Sequence, residues 1–148
     1  MPNAIKWETT PTSRSNVLST ELNSLANGSR TNVGTEIDNS TNLDKYGWLE
    51  LSVTFGSAPS AGAYLNIYMV MAPGGTNYAD GSSSVDPGAD AWVASIPILA
   101  STSAQRKAIG PILLPPSKIK FICENQTGQA FPASGSTIVL YTDNDEIQ

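Results

Sequence analysis

Asp80, Asp86 and Asp90 are the side chains whose type and spacing best suit chemistry, because all three lie in one Gly- and Ser-rich stretch, APGGTNYADGSSSVDPGADA, from Ala72 to Ala91. A pair of carboxylates can hydrolyse a glycosidic bond when burial keeps one protonated and the other stays ionised. Such acids are held on rigid elements, whereas carboxylates among Gly and Ser on a loop stay solvated. The same three oxygen donors can collect a calcium ion, but their spacing departs from the EF-hand loop of about twelve residues. Separate surface charges are therefore the expectation. Gly74-Gly75 and Gly81 lack the lysine and the following helix that a phosphate-cradling loop requires.

The sequence contains no histidine. That removes the commonest general base, every histidine-dependent triad and all imidazole metal ligation. Cys123 is the single cysteine, so an internal disulfide, a thiolate zinc cage and a dithiol redox pair are all excluded. It alternates with apolar residues in KIKFICE and is expected to pack as a small core side chain. The expectation is a protein that is not an enzyme and takes no cofactor or metal.

A chain of 148 residues, 40% hydrophobic and 14% charged, is long enough for one core and apolar enough to fold around it. Its formal net charge of −5 supplies no basic field to displace counterions from a phosphate backbone, so nucleic acid is not an expected partner. MPNAIKWE at the amino terminus lacks the apolar run of a signal peptide, and no stretch approaches the roughly 20 apolar residues of a membrane span. The expectation is a soluble protein made in the cytoplasm. Sequons at Asn27, Asn39 and Asn125 follow from the abundance of Asn, Ser and Thr.

Residues 1–16, MPNAIKWETTPTSRSN, show neither helical nor strand periodicity and read as an extended amino-terminal arm, with residues 17–148 forming one domain. Leu18, Leu22 and Leu25 stand at helical spacing, yet Asn27-Gly28 is a hairpin signal, and the segment is undecided between the two. In YGWLELSVTF, Leu49, Leu51, Val53 and Phe55 share one face and Trp48, Glu50, Ser52 and Thr54 the other, the alternation of a half-buried strand. In AYLNIYMVM, Leu65, Ile67, Met69 and Met71 alternate with Tyr64, Asn66, Tyr68 and Val70. With GSAPSAG between them, the two segments read as a hairpin. Further strands are expected over Ala91–Leu99, Lys107–Leu114, Lys118–Glu124 and Ser136–Thr142, with Ile119, Phe121 and Cys123 buried. Many short strands and dense turn chemistry predict an all-β, antiparallel β-sandwich, jelly-roll-like at this length. The loop from Ala72 to Ala91 is long enough for a small domain to be a functional element.

Trp48, Tyr64 and Tyr68 are expected on the outward face of the predicted hairpin, where aromatics stack on sugars or form subunit interfaces unless another layer covers them. Trp92, Ala94, Ile96 and Ile98 form an apolar face opposite Val93, which places that strand deep in the sandwich or at an oligomer contact. Lys118 and Lys120 are expected as solvated charges on an edge strand.

The stretches IDNSTNLDKYGWLELSVTFGSAPSAGAYLNIYMVMAPGGTNYADGSSS and LPPSKIKFICENQTGQAFPASGSTIVLYTDNDE resemble a group of small β-rich virion proteins of tailed bacteriophages, the capsid decoration or cement proteins. The resemblance runs over Ile37–Glu146. It implies a jelly-roll-like domain, often trimeric, made in the host bacterial cytoplasm and bound to the major capsid protein on the virion surface, where it stabilises the shell. The amino-terminal arm lies outside the matching stretch; for such a role the arm and the long loop are the expected contact elements, with Trp7 and Arg14 as arm anchors because Trp and Arg dominate interface energetics, and Trp48, Tyr64, Tyr68, Tyr78 and Asp86 as further interface candidates. Two other functions fit the same pattern. A head-fibre or tail receptor-binding module would hold host glycans on Tyr64, Tyr68 and Tyr78, and a weak hydrolase would rest on Asp80, Asp86 or Asp90.

Overall fold

The computed structural model describes residues 5–7 and 12–147, with side chains described for 5–6 and 15–145. Eight strands build the body: β2 (Thr12–Leu18), β3 (Ile37–Asp38), β4 (Tyr46–Val53), β5 (Tyr64–Ala72), β6 (Trp92–Pro97), β7 (Gln105–Leu113), β8 (Lys118–Gln126) and β9 (Thr137–Asp143). They form two four-stranded sheets, ordered β2-β9-β4-β7 and β3-β8-β5-β6. Every pairing is antiparallel. Counted from β2, the orders are first-eighth-third-sixth and second-seventh-fourth-fifth, which is the winding of a jelly roll. A two-stranded ribbon of β1 (Ile5–Trp7) and β10 (Asp145–Ile147) joins the two chain termini beside the body.

Strand alternation places the core. On β4, Leu49, Leu51 and Val53 are buried and the residues between them half-buried, as a pleat with one face against a second sheet requires. Leu65, Ile67 and Met69 from β5, Ile119, Phe121 and Cys123 from β8, and Ile138 and Leu140 from β9 meet them in one cluster. Phe55 and Phe131 close one end of it edge to face, ring centroids 5.3 Å apart. Leu18, Leu22 and Leu25 all enter this core. They do so from the end of β2, a single 3₁₀ turn at Thr20–Leu22 and the loop after it, so the segment is neither α-helix nor hairpin.

Four expectations change. The first is the hairpin: β4 pairs with β7 and β9, and β5 with β6 and β8, so the segment between them crosses from one sheet to the other. An arch over the core keeps both apolar faces inward as well as a hairpin does, and alternation cannot tell them apart. The second is the arm, whose boundary at residue 16 falls inside β2; Thr12–Leu18 pairs with β9 as an edge strand. Third, β8 lies inside its sheet, so Lys118 and Lys120 are not edge charges. Fourth, β6 is an edge strand, and Trp92 does not share the inward direction of Ile96.

Two sequon asparagines prove to be buried ties. Asn39 donates to the carbonyls of Asp44 and Pro115 at 2.8 Å each and accepts from the Asp44 amide at 2.9 Å. Asn125 donates to Leu25 and Gln129 carbonyls and accepts from the amide and hydroxyl of Thr127. Both are fully buried. Replacing Asn125 by Leu leaves these groups without partners inside the fold, each at a cost of about 1–3 kcal/mol. The urea midpoint of Asn125→Leu is therefore expected to fall clearly below that of the wild type with an unchanged denaturant slope; an equal midpoint would show that the tie is dispensable.

Candidate functional site

The outer face of the β3-β8-β5-β6 sheet is the most elaborated surface of the molecule. Over its middle, Val70 of β5 and Ile122 of β8 point away from the main core yet are buried. They form a second cluster with Ala91, against which Val33, Tyr68 and Tyr78 pack. The long loop supplies the cover. Gly81 lies so close that a Cβ there would stand 2.9 Å from Ile122 Cδ1 and 3.0 Å from Val70 Cγ1, so glycine lets the loop backbone approach the sheet without shifting these side chains.

Polar contacts fasten this cover. The Tyr78 hydroxyl donates to Glu36 Oε2 at 2.6 Å, Lys118 Nζ lies 3.0 Å from Glu36 Oε1, and Lys120 Nζ stands 4.3 Å from the Tyr78 ring centroid. The Ala79 amide donates to the Met71 carbonyl at 3.0 Å, and Ser83 Oγ to Asn32 at 2.7 Å. The hydrogen bond from Tyr78, then that from Lys118, holds the Glu36 carboxyl below its ordinary range. Burial, then the bond to Glu36, pushes the Tyr78 phenol well up.

Toward the start of β5 the loop ends and the sheet is open. The Ser95 hydroxyl donates to Asn66 Oδ1 at 2.6 Å, Asn66 Nδ2 to Glu124 Oε2 at 2.9 Å, and the Tyr68 hydroxyl to the same oxygen at 3.1 Å. Arg30 stands 3.8 Å from Glu124 and 3.6 Å from Asp86. Burial, then the charge of Glu124, raises the Tyr68 pKa. Beside this row Trp92 is 50% exposed and Tyr64 41%.

The sandwich end at which β1 and β10 pair differs in character. Ile5, Leu43 and Leu113 there are 72%, 61% and 70% exposed. Leu113 pairs with Tyr46 at the start of β4, and Leu43 rims an open hollow of about 480 Å³ with Lys45, Leu114, Pro116 and Asp145. Leu43 follows the short helix α1 (Asn39–Asn42) with φ 57° and ψ 31°. That left-handed conformation normally falls to Gly or Asn.

The sequence candidates are thus dispersed. Tyr64, Tyr68 and Tyr78 share one sheet face, but Tyr78 is taken up by Glu36 and Lys120. Trp48 lies on the other sheet, its indole against Gly110 of β7, because β4 and β5 do not form a hairpin. Asp80, Asp86 and Asp90 do line one shallow hollow, of about 230 Å³, with Pro87 and Gly88. Asp86 faces Arg30 and accepts from the Gly88 amide, and among the described residues no group of three or more carboxylates, thiols or imidazoles converges as metal ligands. Cys123 is fully buried, and burial pushes its thiol pKa up. The side chains of Trp7 and Arg14 lie outside the described residues. Trp92, Asn66, Ser95 and Glu124 were not singled out as a group by sequence reasoning, because their adjacency depends on strand order.

No family model matches the chain, and no curated protein sequence matches it either. Among solved structures, the chain is similar to a family 6 carbohydrate-binding module from Clostridium cellulolyticum, determined in complex with xylose. The identity is 11% and the TM-score 0.31, over 97% of this chain and 88% of that one. A likeness of this size carries no argument about ligand or activity. Among the described residues no helix is long and apolar enough to cross a membrane.

The loop fastening makes a pH prediction. Because the folded carboxyl of Glu36 titrates below its unfolded value, its contribution is complete above the ordinary carboxylate range and is lost as pH falls through the folded pKa. Exchange of the Ala79 amide is expected to accelerate relative to core amides as the solution is acidified below about pH 4. In Glu36→Gln that acid-dependent acceleration should vanish; its persistence would assign the acid response to another group.

Proposed function

We propose that this chain is a structural virion protein that decorates the outside of a bacteriophage capsid, seating the termini end of its jelly roll on the major capsid protein. The observation that carries this reading is that three of the large exposed apolar side chains, Ile5, Leu43 and Leu113, lie at that end. Surface apolar groups gathered at one place mark protein contact more often than chance exposure does. Leu43 adds weight, because a leucine held in the left-handed region is unfavourable by about 1–2 kcal/mol and this one, 61% exposed, recovers only part of its burial within its own fold.

The resemblance of Ile37–Glu146 to decoration proteins supports the same reading. Shell stabilisation needs no catalytic group; it needs a stiff body and many identical copies, each adding a modest contact. A homotrimer would present three such ends side by side. Under this reading the ribbon strand β1, which carries Trp7, belongs to the same contact.

Immunogold labelling of intact virions tests the location: gold spread over the head is expected, and gold confined to tails or fibres on well-labelled particles would overturn the proposal. Leu43→Gly tests the contact. In the free protein it is expected to leave the urea midpoint unchanged or raised, since glycine adopts φ 57° without penalty. Binding to undecorated heads should weaken about tenfold or more, as burial of a leucine side chain is worth roughly 1.5–3 kcal/mol. Unchanged binding would move the contact elsewhere.

A further inference from the structure

We infer that the open part of the β3-β8-β5-β6 face is a binding site for a neutral saccharide, with the Trp92 indole as stacking platform and the Asn66-Ser95-Glu124 row as hydroxyl partners. The inference does not depend on the capsid reading, and either can fail alone.

Its first support is how Trp92 comes to be exposed. β5 pairs Ile67 with Ala94 but Tyr68 with Trp92, leaving Val93 as the extra residue of a bulge. Strict alternation from the inward Ile96 and Ala94 would turn Trp92 into the core. The bulge turns it out instead, beside Tyr68, so a side chain that gains more than most from burial stands 50% exposed. Bulges re-aim side chains and recur beside functional sites.

The second support is the polar row. Its internal hydrogen bonds run in one direction, from Ser95 to Asn66 to Glu124, with Tyr68 donating to the same carboxylate. Each rotamer is thereby held, while unused capacity remains: lone pairs on the exposed Ser95 hydroxyl, the second amide proton of Asn66 and further acceptor sites on Glu124. Donors and acceptors are mixed, and Arg30 lies between Glu124 and Asp86. An anionic ligand would meet two carboxylates against one guanidinium. An apolar side chain laid over the row would strand its polar atoms. A pyranose suits both halves, because its C–H face can cover the indole while hydroxyls, each donor and acceptor, meet the row. Ser95, Trp92 and Tyr64 stand exposed on this face rather than enclosed, which favours an oligosaccharide lying across the strands over a single enclosed ring.

The test is a titration of the full chain with maltotriose, cellotriose, xylotriose and chitotriose, each to about 50 mM because an open site binds weakly, followed by indole N–H signals. At least one sugar is expected to shift, saturably, the signal that is absent from Trp92→Ala. Binding should fall at least about tenfold in Trp92→Ala and by a smaller factor in Asn66→Ala, while Trp48→Phe, on the opposite sheet, binds normally. Urea midpoints of the variants establish that they are folded. If none of the four sugars shifts that signal, or if binding survives in folded Trp92→Ala, the inference is wrong.

Discussion

The contact between the inner faces of the two sheets is the constraint on which the rest of this structure depends. With one thiol in the sequence, stability comes from packing rather than from cross-links. The core is one side-chain layer between sheets, so slipping any strand by one residue would turn its whole apolar set outward. The central pairs reflect this: β4 with β9 and β5 with β8 run in unbroken register. Each of the three pairings that carries a register shift involves an edge strand, β2 on β9, β7 on β4 and β6 on β5. Irregularity is tolerated where it does not propagate into the core, and edge bulges also discourage pairing with stray strands.

The same constraint gives the long loop its role. A sheet with one face in the core can leave the other to solvent, but Val70 and Ile122 point outward and are apolar, so the middle of this face needs cover. Gly81 lets the loop backbone come down onto them, and the ionic and aromatic contacts of Glu36, Lys118, Lys120 and Tyr78 hold it from the side. Loop length and loop composition are thus explained by a second, smaller burial rather than by the carboxylates it carries. Where the loop ends, the face changes from covered and apolar to open and polar, and this boundary defines the Trp92 surface.

Sequence patterns carried the strands well and their partners poorly. The alternation in YGWLELSVTF and KIKFICE is a local consequence of the pleat, and the burial of Leu49, Leu51, Phe121 and Cys123 follows from it directly. Sheet membership is non-local: an arch and a hairpin preserve the same alternation, so the separation of Trp48 from Tyr64 and Tyr68 onto opposite sheets had no signal in those residues. Trp92 was misplaced for a different reason. A bulge adds one residue to one strand without any residue type that demands it, and Val93 looks like an ordinary strand residue. The grouping of Asp80, Asp86 and Asp90 was legible from proximity in the chain; that Asp86 faces Arg30 was not, since Arg30 lies far away in sequence.

The two surfaces that stand out share a physical signature. At Leu43 a backbone conformation suited to glycine carries a leucine, and at Trp92 a bulge turns an indole out of the core. In each place a large apolar side chain is exposed by a local irregularity rather than by lack of space inside. Selection for folding alone would favour glycine at the first position and a regular strand at the second, so neither irregularity serves the packing of the fold, and the two proposed contacts are assigned there. Their arrangement is compatible with two contacts at once. Leu43 and Leu113 lie at the end where the termini pair, whereas Asn66, Ser95 and Glu124 lie toward the opposite end of β5, on a sheet face. A molecule seated by its termini end would keep that face accessible to solvent and to a second ligand.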